Sequence, residues 1–458
     1  MATIGTVAAM RDAKRVVTVA LWAMPFLTVA VVSFAIFEVG APRPYLGVRV
    51  LGGPTEGARR LSLYLMAVER LGEVERPAPV AQLTVVADAG GGRASWTGRL
   101  DEQGAAEVAL ELPAPIAGGV LLSVRSGERL LGQGRLELGV EAWSRAARRR
   151  GGWLRGQPSG ALAVRVAAAR GAFAVPFRDP LLVEVHDGKS AVAGSTLVFS
   201  PEGVDIGRAR GVGATTDDAG RASIGVTPNE HAVAMRVDAR AIGGKTGALY
   251  SVLPVVPGAL HATLEGPSLR VESPVPRDRA YFALVTRTAR LGGGAARLAA
   301  DGRGGAVAVV DIRHLLTASE GADVWAVVSS EPDLRTSSTV GWPVRVGEVP
   351  ASTFDAGNLL LLDDLPRAFQ EDVARRQRAR LLAGLFSLLS LVLVVTLMRL
   401  RVRSAEQALA DHLRRAGSSE EDVAHAQTGR TLRWLIVAGL CLALGFTVIA
   451  LFAMLRIG

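Results

Sequence analysis

Cysteine is nearly missing from this chain. Cys441 is the only one in 458 residues, so no disulfide forms within the chain and no cysteine-ligated zinc site can be built from it. A lipid-bearing cysteine near the N-terminus is excluded for the same reason. Lysine is almost as rare: positions 14, 189 and 245 hold all of it, and arginine supplies the rest of the 52 basic residues. So one-sided a ratio reads as codon bias in a GC-rich genome, and the net charge of +9 is therefore no sign of nucleic-acid binding. Aromatics make up 5% of the chain and interleave with basic residues in one short stretch alone, which also argues against a nucleic-acid partner. Asn229 and Asn358 are the only asparagines, and neither is followed by the hydroxyl residue of a glycosylation sequon.

Signatures of catalysis are missing too. The six histidines stand at 186, 231, 261, 314, 412 and 425, and none shows His-x-x-x-His or His-Glu-x-x-His spacing. A metal site would have to be assembled from far apart in the chain. There is no Gly-x-Ser-x-Gly nucleophile elbow. Gly243-Gly244-Lys245-Thr246 resembles half a P-loop, but Ala239 stands where the first glycine of that pattern must be, and strands flank it. Asp217 and Asp218 supply too few oxygens for a calcium cage. The expectation is a protein that is not an enzyme and holds no cofactor or metal.

What the chain has in quantity is apolar sequence, with a mean hydropathy of +0.29. Behind a short polar tail (residues 1–15), Val16 to Phe37 carries no charge. At about 1.5 Å per residue it reaches about 33 Å, enough for a hydrocarbon core of about 30 Å. The run is too long for a signal peptide, and Pro42 follows the best small-residue cleavage position at Ala41. It reads as an uncleaved transmembrane anchor. Leu381 to Met398 and Trp434 to Leu455 are likewise free of charge. With a charged juxtamembrane helix at 366–380, capped by Asp363 or Asp364 with Pro366 in its first turn, they predict a helical hairpin. Its arms, at 399–433, extend beyond the bilayer, and Gly417 breaks them. Small residues stripe both spans: Ala383, Ser387 and Ser390 in one, Gly439, Ala443 and Thr447 in the other. Such spacing lets backbones approach closely, within the chain or toward another subunit.

Between the first and second spans the residues alternate as in half-buried strands. One turn pattern, Asp-x-x-Gly-x-Ala, occurs three times, at Asp101–Gly104, Asp217–Gly220 and Asp301–Gly304. Aspartate opens such a turn by bonding its own backbone, and glycine takes the positive φ that closes it. The copies are spaced as whole domains, not as the units of a solenoid. They predict three tandem β-sandwiches at 42–142, 159–258 and 259–350, a mainly β region with a linker at 351–365 before the helices. A second linker, at 143–158, is the one basic stretch with aromatics: Trp143, Arg145, Arg148, Arg149, Arg150, Trp153 and Arg155. It is either a surface that binds anionic lipid or polymer, or a solvated linker with its tryptophans packed on the neighbouring domains.

Val192-Ala-Gly-Ser-Thr-Leu-Val-Phe199 with Thr215-Thr-Asp217-Asp-Ala-Gly220-Arg-Ala222 resembles the strand, Thr-Asp-x-x-Gly turn and outgoing strand of bacterial Ig-like domains. Tyr64-Leu-Met-Ala-Val68 with Asp101-Glu-Gln-Gly104 is similar to a macroglobulin-type domain. The resemblance implies spacer, adhesive or interaction modules. The Cys-Gly-Glu-Gln thioester motif of full macroglobulins is absent, so that chemistry is not implied. Arg11, Lys14 and Arg15 before the first span, and seven arginines between the second and third, place both stretches in the cytoplasm by the positive-inside rule. Arg375, Arg376, Arg378 and Arg380 count against that arrangement. The expected protein sits in a bacterial inner membrane by three spans, with its N-terminus cytoplasmic and its β-domains periplasmic. It contacts lipid and presents the β-domains as a scaffold to another envelope protein or polymer. The alternative is an accessory subunit of a transport or signalling complex, acting through its spans and cytoplasmic hairpin. The sequence does not set its oligomeric state.

Overall fold

The structure, a computed structural model, describes residues 23–39, 41–55, 59–72, 74–78, 80–116, 118–138, 150–207, 213–319, 321–334 and 336–417, with isolated residues at 16, 19–20, 143, 421, 438–439, 442–443, 445–446 and 449. The chain divides into two compact units: Leu46–Arg70 with Val74–Leu365, and Met1–Tyr45 with Leu71–Glu73 and Pro366–Gly458.

The first unit is built from antiparallel sheets that pair around three hydrophobic cores. Each pair repeats one connectivity. In the first, strand Arg60–Leu71 pairs with Ala105–Glu111, while Leu83–Asp88 pairs with Arg93–Gly98 and Gly119–Ser126, the latter continuing to Arg129–Glu137. In the second, Asp179–His186 pairs with Arg221–Pro228, while Thr196–Glu202 pairs with Ala214–Thr215 and Ala234–Arg240, the latter continuing to Thr246–Val252. In the third, Ser268–Ser273 pairs with Ala306–Asp311, while Arg279–Val285 pairs with Arg290–Arg297 and Val324–Ser329, the latter continuing to Val340–Arg345. The Asp-x-x-Gly turn always stands just before the second strand named.

The sheet pairs are not strung like beads. Strand Arg60–Leu71 sends Leu61, Leu63 and Leu65 into its own core, and sends Tyr64 and Met66 into a fourth core on its other face. The third pair meets it there. Leu284, Ala326 and Val328 fill its own core, while Val285, Trp325 and Val327 fill the shared one. Because side chains alternate across a strand, a strand buried on both faces reads as an unbroken apolar run, and these three do. Residues 351–365, expected as a linker, carry strand Ser352–Thr353, which pairs with Arg150–Gly151, and strand Leu360–Asp363, which pairs with Tyr45–Pro54 in the first sheet. The two ends of this unit are therefore hydrogen-bonded neighbours.

In the second unit, Leu365–Arg415 forms one continuous helix of 51 residues, uniting the expected juxtamembrane, spanning and arm segments. Asp363 Oδ1 accepts the N–H of Leu365 at 3.1 Å, and Gly417, at φ +79°, follows its last turn in the left-handed conformation that ends helices. Among the described residues it is the one helix long and apolar enough to cross a membrane, with a mean hydropathy of 2.6 over its best window. Residues 23–39 form a shorter apolar helix ending in a π-turn at Ala35–Val39. Val32 packs on Ala383 of the long helix, and Arg375 donates to the carbonyls of Val39 and Ala41. The seven described residues of the stretch 434–455 are helical, and the rest of that expected span lies outside the described residues.

Candidate functional site

The three turns share one geometry. Asp101 Oδ1 accepts from the N–H of Gln103 at 2.8 Å and of Ala105 at 2.9 Å. Asp217 Oδ1 takes the same bonds from Ala219 and Arg221, and Asp301 Oδ1 from Arg303 and Gly305. Gly104, Gly220 and Gly304 have φ of +69°, +69° and +95°. A Cβ on Gly104 would lie 2.9 Å from the carbonyl of Ala67, and one on Gly220 2.8 Å from that of Val185, while Gly304 faces open space. In each turn one Oδ1 is committed to two backbone bonds, which makes it a strand initiator.

The basic linker divides. Trp143 is 3% exposed, so it is no part of a surface: its ring lies in the shared core against Gly53 and Phe354, and its Nε1 donates to the carbonyl of Thr286 at 3.4 Å. Arg145, Arg148 and Arg149 lie outside the described residues, and Arg150 is placed in its short strand. Trp153 is half-buried and Arg155 exposed. Of the helix-packing residues, Ala383 and Ser387 are buried, at 1% and 5% exposure. Gly439 and Ala443 are half-buried while Ala438, Leu442 and Phe446 are exposed, a helical face turned inward; a Cβ on Gly439 would meet Met398.

Two further polar clusters join the sheet pairs, each centred on a buried side chain, Arg290 in one and His261 in the other. In one, Arg290 of the third pair, 1% exposed, reaches Glu107 of the first through both Nη atoms, and Nη1 also donates to Ser62 Oγ. In the other, Asp179 and Arg170 of the second pair meet His261 and Glu272 of the third. Arg170 Nη1 donates to Asp179 Oδ1 at 2.9 Å, and Nη2 to the carbonyl of Ala262. His261 Nε2 lies 3.0 Å from Asp179 Oδ2 and 2.8 Å from Arg170 Nη1. Its Nδ1 lies 3.5 Å from Glu272 Oε2, a charge-pair distance without hydrogen-bond alignment. Phe177 stacks on the imidazole at 4.9 Å and Trp342 meets its edge at 5.4 Å. Burial works against the charge on His261, but Asp179 and Glu272 outweigh it and hold its pKa above the ordinary 6.5. Burial also works against the charge on Asp179, yet the His261 bond and Arg170 keep its carboxyl below the usual range. The His261 contact, with Arg270, draws Glu272 down to about 2.

Two clefts open beside the joints. One, of about 300 Å³, lies between the first and third pairs and includes Arg49, which pairs with Glu75 at 2.9 Å, together with Tyr64 and Tyr281. The other, of about 690 Å³, lies where Gly171 of the second pair, Thr336 and Thr339 of the third and Phe354 and Asp355 of the returning segment converge. No sequence motif marks these sites, since Arg170 and His261 are 91 residues apart and Glu107 and Arg290 are 183 apart.

Neither a known family profile nor a curated protein matches the chain. Solved structures to which it is similar include bacterial adhesin and macroglobulin chains. Invasin, a bacterial integrin-binding protein, shares 11% identity over 63% of this chain and 57% of its own, at a TM-score of 0.15. The D0-D1 domain of intimin shares 15% over 46% and 97%, at 0.14. The α-2-macroglobulin of E. coli shares 11% over 67% and 23%, at 0.16. The chain thus spans little more than half of invasin and about a quarter of that macroglobulin. Scores this low carry no functional argument; the strand pairings themselves give antiparallel sheets packed in pairs around hydrophobic cores.

Proposed function

We propose that this chain is a membrane-anchored, non-enzymatic binding or scaffold protein whose β-region works as one preassembled block of three Ig-like modules. The observation that carries this reading is the pair of buried joints, with the shared core beside them. Arg290–Glu107 ties the first module to the third, and Arg170–Asp179–His261 ties the second to the third. These polar clusters are thereby committed to structure, and what the block offers a partner is shape: its clefts and loop tips. The adjacent strands Tyr45–Pro54 and Leu360–Asp363 support an anchor on both sides of one point. The long apolar helix supplies one anchor and the apolar N-terminal helix a second. We place the block outside the cytoplasm of a bacterial inner-membrane protein with three spans and a cytoplasmic N-terminus. Arg375 and Arg376, which count against that topology, both pair with Asp372, and Arg375 also closes the carbonyl end of the N-terminal helix. The partner is another envelope protein or polymer.

The test is proximity labelling in living cells. A labelling enzyme is inserted at Ile242, 89% exposed at the hairpin tip between Ala234–Arg240 and Thr246–Val252. The reading predicts a small reproducible set of envelope neighbours. Background labelling alone, with unchanged envelope behaviour on deletion, would sink it.

A further inference from the structure

The His261 cluster differs in kind from the Arg290 joint, because one member is a histidine, the side chain whose ordinary pKa lies nearest to neutral. Every group that faces it can be named. Arg170 and Asp179 face Nε2 from the second module; Glu272 faces Nδ1 from the paired strand of the third. Arg270 balances Glu272 at 3.0 Å and reaches Glu265 at 3.5 Å. Phe177 and Trp342 close the two remaining sides, and Arg170 also lies over the Trp342 ring at 5.1 Å. Three carboxylates thus meet two guanidiniums, and a charged imidazole makes the cluster neutral.

The geometry allows two arrangements. With both nitrogens protonated, His261 donates to Asp179 across the module boundary and turns its other N–H toward Glu272. With one proton lost, it keeps only one of these. Either Nδ1 turns a lone pair on Glu272, or Nε2 gives up Asp179 and accepts from Arg170 instead. We propose that this cluster is a pH-sensitive latch between the second and third modules, closed when His261 is charged and loosened when it is neutral. Gly171, the residue after Arg170, lines the 690 Å³ cleft, so the latch also sets how firmly that cleft is held.

The direction follows from linkage. A histidine whose pKa is raised on folding adds stability that is complete below its unfolded value of 6.5 and is lost as pH climbs through the folded value. The depressed carboxylates act the other way: Asp179 and Glu272 add stability above their ordinary values, lost only in strong acid. The joint is therefore tightest in mild acid and weakens as pH climbs through the raised folded value of His261. Its behaviour does not depend on what the block binds, so its failure and the failure of the scaffold reading are separable.

The experiment is hydrogen exchange of the full chain in detergent micelles from pH 5.5 to 9, corrected for the chemical exchange rate. Strands His261–Glu265 and Val340–Arg345 report on the joint, and Leu83–Asp88 is the internal reference. The expected result is protection at the two reporting strands that is full in mild acid and falls as pH climbs above 6.5, while the reference stays level. His261→Gln should remove that pH dependence. Glu272→Gln, which leaves Asp179 in place, should move the loss of protection to lower pH. A level profile in the wild type, a pH dependence that survives His261→Gln, or an unmoved transition in Glu272→Gln would each overturn the latch.

Discussion

Asp101, Asp217 and Asp301 do one job three times, but the glycines that follow them are not equivalent. Replacing Gly304 by alanine imposes the left-handed backbone penalty of about 1–2 kcal/mol and nothing more, since its Cβ would meet open space. Gly104→Ala adds a clash with the carbonyl of Ala67, so its unfolding midpoint should fall further than that of Gly304→Ala in parallel thermal melts. Equal shifts would contradict the close packing of the first turn. Arg290 offers the second test at this scale. Glu107→Ala leaves a guanidinium of 2% side-chain exposure without its carboxylate. The cost should be about 2–4 kcal/mol in denaturant unfolding, at the low side for buried pairs because Glu107 is partly exposed. Adding Arg290→Met should recover much of it. The turns are legible in the sequence because their chemistry is local. The joints are not, because each is assembled from residues many strands apart whose types occur throughout an arginine-rich surface.

At the scale of elements, the strands Arg60–Leu71, Arg279–Val285 and Val324–Ser329 show what a period-two reading can and cannot see. Alternation locates them, and the unbroken apolar runs inside them signal burial on both faces. What covers the second face is a long-range fact with no signature in either partner, so the sequence reads as separate sandwiches while the chain folds with a fourth core. The long helix is the opposite case. Its length, its start beside Asp363 and its stop at Gly417 all follow from near-neighbour signals. Its seam is testable: Ala383 is 1% exposed against Val32, while Leu385 is 54% exposed. In a Cys441→Ser background, Val32→Cys with Ala383→Cys should form a disulfide in native membranes, and Val32→Cys with Leu385→Cys should not. Equal crosslinking of both pairs would mean that the small-residue stripe does not set the helix contact.

At the scale of the whole molecule, the β-region is one block, and the proposed function resides in it. Modules joined only by linkers would melt separately. Modules sharing a core and two buried joints should unfold together, so calorimetry of the chain in micelles should give a single transition for the β-region, with Glu107→Ala broadening or splitting it. The mainly β character and the long apolar helix were open to sequence reading, because hydropathy and turn chemistry are local signals. The block was not, since it depends on how repeats of similar pattern are turned toward each other. The measurement that bears most directly on the claim is an exchange of anchors. Strands Tyr45–Pro54 and Leu360–Asp363 lie side by side, so the stretch from Leu46 to Leu365 can be carried on unrelated membrane helices without separating its ends. If the β-region is the working part, the exchanged protein, labelled from Ile242, will return the neighbours of the native chain and restore the envelope behaviour of a deletion strain. Loss of both, with the exchanged β-region folded and on the same side of the membrane, would place the function in the helices instead and contradict the account.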